Sequence, residues 1–163
     1  MKDVRPTSGK VLQALFNILG DINHFKFLDL FAGTGRVGLE ALKRGAEFAA
    51  FAESLRDRAE NIKSLKNLNN SNSLVLSLEV KRAVIWLAKR AYKFDVIFAD
   101  PPYNLGWGKN FLGINNLSKL LKPDGLLIFE RSVREELCLN SEFELISTRD
   151  YGETCLDFLK LKI

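Results

Sequence analysis

Leu28-Asp29-Leu30-Phe31-Ala32-Gly33-Thr34-Gly35 runs from an apolar stretch into a loop with almost no side-chain bulk. Lys26 to Phe31 is short and mostly apolar, the pattern of a strand covered on both faces, and from Val37 to Leu42 apolar residues return at helical spacing. The reading is strand, glycine loop, helix. Glycine at 33 and 35 lets a ligand approach the main chain without meeting a Cβ, so the stretch reads as a cradle for a nucleotide cofactor.

Gly33, Gly35 and Gly38 also satisfy G-x-G-x-x-G, and Glu53 ends the next apolar run about twenty residues on, as a dinucleotide site would have it. Asp29 decides between cofactors. A carboxylate inside the strand would repel a pyrophosphate at the helix N-terminus, whereas S-adenosylmethionine carries no phosphate and has a cationic sulfonium and an α-ammonium. The expected cofactor is therefore S-adenosyl-L-methionine, bound by Asp29, Phe31, Ala32, Gly33, Thr34 and Gly35, with Glu53 accepting from the ribose hydroxyls.

Outward from this stretch, Thr7 or Ser8 caps a helix carrying Val11, Leu12, Leu15, Phe16, Ile18 and Leu19. Strands are expected at 26–31, 47–52, 74–76, 94–99 and 126–130, with helices at 36–44, 55–68, 80–91, 112–121 and 133–139. Lys122-Pro123-Asp124-Gly125 reads as a turn, and the runs 143–148 and 154–161 as a hairpin around Tyr151-Gly152. Strands alternating with helices imply an α/β fold: a mostly parallel seven-stranded sheet with an antiparallel C-terminal hairpin and helices on both faces. At 163 residues, one domain spanning 1–163 is expected.

Lys plus Arg number 24 against 20 for Asp plus Glu, a mildly basic balance that permits contact with nucleic acid without requiring it. Cys138, Cys155 and the single histidine, His24, form no metal-ligand spacing, so no metal is expected. With no apolar run of membrane-spanning length and no signal-like start, the expected compartment is the cytoplasm. A monomer is favoured.

Asp100-Pro101-Pro102-Tyr103, at the end of the fourth strand, is the second chemical signal. Two prolines cannot extend a sheet ladder, so they force a rigid exit from the strand. An exocyclic base amine has two N–H donors, which the Asp100 carboxylate and the Pro101 carbonyl can accept, aligning the nitrogen lone pair toward a methyl group; Tyr103 can stack on the base. Asp100, Pro101 and Tyr103 are the expected catalytic residues, and Arg5, Thr7, Pro102, Tyr103 and Arg131 the expected substrate contacts. Other basic residues placed at the same rim are Lys2, Lys10, Arg36, Lys109 and Arg134.

Together these motifs resemble the Rossmann-like S-adenosylmethionine-dependent amino-methyltransferases. Val4-Arg5-Pro6-Thr7, Ala14 to Leu19, Leu28 to Gly35 with Gly38 to Ala41, Asp100 to Tyr103 and Tyr151-Gly152-Glu153-Thr154 are similar to the bacterial 16S ribosomal RNA guanine-N2 methyltransferase family (RsmD), over nearly the whole chain. The resemblance implies methylation of a guanine N2 amine in small-subunit rRNA, free or in a ribosomal particle. It departs in three places: an N-terminal RNA-binding strand segment of the family is expected to be absent, Leu12-Gln13 replaces Arg-Glu, and Arg82 stands where an acid normally accepts from the adenine amine. Alternatives are an N-methyltransferase of a DNA base or a protein amide, and a non-catalytic RNA-binding paralogue. A dehydrogenase lacks its catalytic set.

Overall fold

In a computed structural model, residues 7–65 and 68–163 are described. The element order is α1 (Gly9–Leu19), β1 (Lys26–Asp29), α2 (Arg36–Lys43), β2 (Phe48–Ala52), α3 (Arg56–Lys63), β3 (Ser73–Leu76), α4 (Val80–Lys89), β4 (Phe94–Ala99), α5 (Trp107–Asn110), α6 (Leu117–Leu120), β5 (Leu121–Ser132), β6 (Phe143–Tyr151) and β7 (Thr154–Leu161). The strands form one sheet in the order β3-β2-β1-β4-β5-β7-β6. Neighbours are parallel from β3 through β5, and β7 runs antiparallel to both β5 and β6.

The alternation of side chains along each strand divides the core into two layers. Leu28, Ala50, Ile97, Leu127 and Phe129 face α4 and the α5–α6 region, burying Val84, Leu87, Phe111 and Leu117. On the other face, Phe27, Val96, Phe98, Ile128 and Phe158 meet Leu12, Leu15 and Phe16 of α1 and Val37 and Ala41 of α2. Phe51 and Ala49 cover Ile62 of α3 on that same side. Gly38 is obligatory here, because a Cβ at that position would stand 2.4 Å from Phe51 Cε1. No helix among the described residues is long and apolar enough to cross a membrane.

Three expected elements take another form. The helix expected over 112–121 is reduced to α6, since Asn116 adopts φ 71° and the preceding apolar residues are buried by irregular turns instead. The segment 133–139 is not helical either. Its backbone finds tertiary partners: Val133 N–H donates to Glu153 O at 2.9 Å, and Cys138 N–H to Gly108 O at 2.8 Å. The expected turn at Lys122–Gly125 lies inside β5 as a bulge, where the pairing jumps from Phe94↔Leu121 to Val96↔Leu126. Pro123 costs no ladder hydrogen bond in such a place.

Candidate functional site

In this strand order the first and fourth strands lie side by side, and helices leave them toward opposite faces, which opens a crevice beyond their carboxyl ends. A cleft of about 1350 Å³ occupies that position. Phe31, Ala32, Gly33 and Thr34 line it from the loop after β1, Glu53 from the end of β2, and Asp100, Pro101, Pro102 and Tyr103 from the end of β4. The residues expected from the two motifs, Gly35 excepted, thus share one cavity.

The cradle is held by its own backbone. Leu30 N–H donates to Phe98 O and Ala32 N–H to Ala52 O, each at 3.0 Å, so the loop stays stitched to both neighbouring strands past the end of β1. Gly33 turns with φ 56° and Gly35 with φ 82°, conformations that disfavour a side chain. Glu53 clamps the loop: one carboxylate oxygen accepts from Gly33 N–H at 2.7 Å and the other from Leu55 N–H at 2.9 Å. Gly35 is not among the lining residues. Its glycine is required by that φ and by Ile62, whose Cγ1 would sit 3.2 Å from a Cβ, so its part in the cradle is to let α2 start close to α3.

Asp29, the last residue of β1, is 1% exposed, and its Oδ1 has no hydrogen-bond partner. Burial, and then the neighbouring Asp100 charge, push its carboxyl up to about 8 against the pull of backbone N–H groups. A buried acid with an open oxygen at a cleft wall is a receptor for a cationic donor.

Two more acids close the group. Burial pushes Asp100 up to about 7, opposed by a hydrogen bond from the Thr7 hydroxyl at 3.2 Å. Glu130, near the end of β5, is pushed up to about 8 by burial and then by the Asp100 charge; the same hydroxyl lies 3.3 Å from its Oε2. The sequence reading missed Glu130. The available signal was the one that marked Glu53, an acid closing an apolar strand at its carboxyl end.

Thr7 is placed by the start of α1, where Ser8 caps the helix and Arg36 Nη1 donates to Thr7 O at 2.8 Å. On the opposite wall, the Tyr103 hydroxyl and Thr154 Oγ1 lie 3.1 Å apart, joining the loop after β4 to the β6–β7 turn. Phe31 and Trp107 meet edge to face, with ring centroids 5.2 Å apart.

Two expectations are corrected. Arg131 does not line the cleft; its guanidinium is held by both oxygens of buried Asp157, at 2.5 and 3.2 Å, and by the Glu135 carbonyl. It fastens β5 to β7, and most of its donors are taken there. Arg82 does not leave its end of the cleft without an acid, because the N-cap of α4 is Glu79, which lines the cavity together with Leu78 and Val80. Arg5 lies outside the described residues.

Comparison with known proteins agrees with this geometry. The family described as Conserved hypothetical protein 95 matches residues 1–160. The chain is 36% identical over 155 residues to "Putative rRNA methyltransferase YlbH" of Bacillus subtilis (strain 168), covering 92% of this chain and 84% of that protein. To "Ribosomal RNA small subunit methyltransferase D" of Escherichia coli (strain K12) it is 32% identical over 136 residues, covering 82% of this chain and 67% of that one. Among solved structures, "Putative methyltransferase yhhF from Escherichia coli" superposes with a TM-score of 0.78 at 29% identity, over 99% of this chain and 89% of that one.

Proposed function

The chain belongs to the Conserved hypothetical protein 95 (RsmD) family, and on that premise we propose that it transfers a methyl group from S-adenosylmethionine to the exocyclic N2 amine of a guanine in small-subunit ribosomal RNA. The observation that carries the reading is the juxtaposition, on adjacent strand ends, of a buried unpartnered carboxylate at Asp29 and the acid-and-proline exit at Asp100–Pro101. One site suits a cationic cofactor and the other an amine donor.

The residues present fit the cofactor. Asp29 Oδ1 is open to an ammonium group, the Gly33 loop leaves the backbone accessible, Glu53 stands where a ribose would lie, and Glu79 with Leu78 supplies an acceptor and an apolar wall at the adenine end. When bound, the cofactor supplies an electrophilic methyl on a sulfonium. The chain's own task is then alignment and charge stabilisation. Asp100 and the Pro101 carbonyl accept the two amine hydrogens, Tyr103 stacks on the base, and Asp100 offsets the positive charge that develops on nitrogen and takes up its proton. The substrate is 16S rRNA or a small-subunit particle, met in the cytoplasm.

The test is methylation of unmodified small subunits with methyl-labelled S-adenosylmethionine, followed by nucleoside mapping. Label in N2-methylguanosine is expected, and Asp100→Ala should lower the rate at least about a hundredfold, as loss of a principal electrostatic group does. Label on an adenine or cytosine, or undiminished turnover in the variant, would refute the assignment.

A further inference from the structure

The hydroxyl of Thr7 faces two carboxylates at once, Asp100 Oδ2 at 3.2 Å and Glu130 Oε2 at 3.3 Å. A hydroxyl has one proton to donate. It can satisfy one of these acids as a donor; the second must carry a proton of its own and donate back to Oγ1, or stand against the oxygen's lone pairs. Asp29, unpartnered at Oδ1, is a third acid on the adjoining strand end; Glu53 faces Asp29 in turn, and the Tyr103 hydroxyl lies near Glu130 and Asp100. Arg36 reaches this corner, but its Nη1 goes to the Thr7 carbonyl. Among the described residues no ion pair reaches Asp29, Asp100 or Glu130. Two carboxylates that share one hydroxyl and have no ion pair, with Asp29 as a third acid close to Glu130, strongly disfavour being charged together.

The two partners of Thr7 are not equivalent. Glu130 is buried at 4% exposure, while Asp100 is partly open to the cleft and better placed to keep its charge in contact with solvent. We propose that, of the two acids sharing Thr7, Glu130 holds the proton and, through Thr7, keeps Asp100 ionised: the Glu130 carboxyl donates to Thr7 Oγ1, and Thr7 donates to Asp100. Glu130 is a positioning residue in this arrangement, acting on Asp100 and not on the transferred methyl. Burial raises both carboxyls, so a proton is retained in this pair well above the usual carboxylate range. The catalytic meaning of this chain of hydrogen bonds rests on the reading of Asp100 as the amine acceptor; the place of the proton does not.

The test uses unliganded protein labelled with ¹³C at the side-chain carboxyls of Asp and Glu, titrated by NMR as wild type, Glu130→Gln, Thr7→Val and Thr7→Ser. Glutamine has the shape of a protonated glutamate and donates from Nε2, so in Glu130→Gln the Asp100 midpoint should stay within about half a pH unit of its wild-type place while the Glu130 resonance and its titration disappear. Thr7→Val should raise the Asp100 midpoint by about one unit, and Thr7→Ser should restore it. A fall of more than about one unit at Asp100 in Glu130→Gln would overturn the proposal, since it would mean that Glu130 held the charge and Asp100 the proton. Because this readout needs neither cofactor nor RNA, a failure of the methylation assay with these shifts intact would count against the proposed function alone.

Discussion

Replacing Asp29 by asparagine should stabilise the protein, and by an amount that grows with pH. In the unfolded chain the carboxyl ionises near its ordinary value of 3.8, and in the folded protein near 8. Between those values the folded state binds one proton more than the unfolded state, so this group's contribution to unfolding free energy falls as pH rises, by about 1.4 kcal/mol per unit. Its stabilising effect is complete below about pH 4 and lost by about pH 8. Asparagine keeps the shape without the titration. Urea denaturation of wild type and Asp29→Asn at pH 5, 6 and 7 should therefore show the gap between them widening in favour of the variant by about 3 kcal/mol over the two units. Other groups that titrate in this range cancel in the difference, and Asp29 is itself neutral throughout it. A gap that stays constant from pH 5 to 7 would refute the reasoning, because Asp29 would then be ionised in the folded protein. The stabilised variant should also bind cofactor poorly, so the acid is kept for what it binds and at the expense of the fold.

The same carboxyl must shed its proton to receive a cation, so affinity for S-adenosylhomocysteine should rise about tenfold between pH 6 and pH 7. Calorimetry in buffers of different ionisation enthalpy should show about one proton released at pH 7; a pH-independent affinity would exclude Asp29 as the ammonium receptor. Gly38→Ala should destabilise by about 1–3 kcal/mol, because its Cβ would collide with the Phe51 ring between α2 and β2. An unchanged denaturation midpoint would show that α2 can lift off the sheet.

Strands β1, β2 and β4 were legible because each is a short apolar run closed by a residue of unusual character, and the cleft followed once those closing residues were collected on one side of the sheet. Strand adjacency is what a sequence does not state. Glu130 looks like a solvated strand-end acid until β5 is set beside β4, and Arg131 looks like a free rim cation until β7, paired antiparallel, delivers Asp157 to it across 26 residues. Glu79 was overlooked for a related reason: an acid at a helix N-cap has a sufficient local role, accepting here from Arg82 N–H at 3.0 Å, and only the cavity wall reveals a second one. The helices expected at 112–121 and 133–139 failed where remote carbonyls and buried apolar contacts outweighed local propensity.

The position of β7 between β5 and β6 has a consequence for the order in which the protein assembles. Among the described residues β6 has no sheet neighbour other than β7, so although it precedes β7 in the chain it can join the sheet only with it or after it. The hydrogen bonds of the cradle itself run to β2 and β4 and not to this hairpin. The opposite wall depends on it: Thr154, which meets Tyr103, is the first residue of β7, and Glu153 just before it receives the Val133 N–H. The antiparallel pairs are also local, closing at Tyr151↔Thr154, and such short closures are fast once begun. Docking of the hairpin is thus what makes the Tyr103 wall, whereas the cradle's own hydrogen bonds to β2 and β4 are made without it.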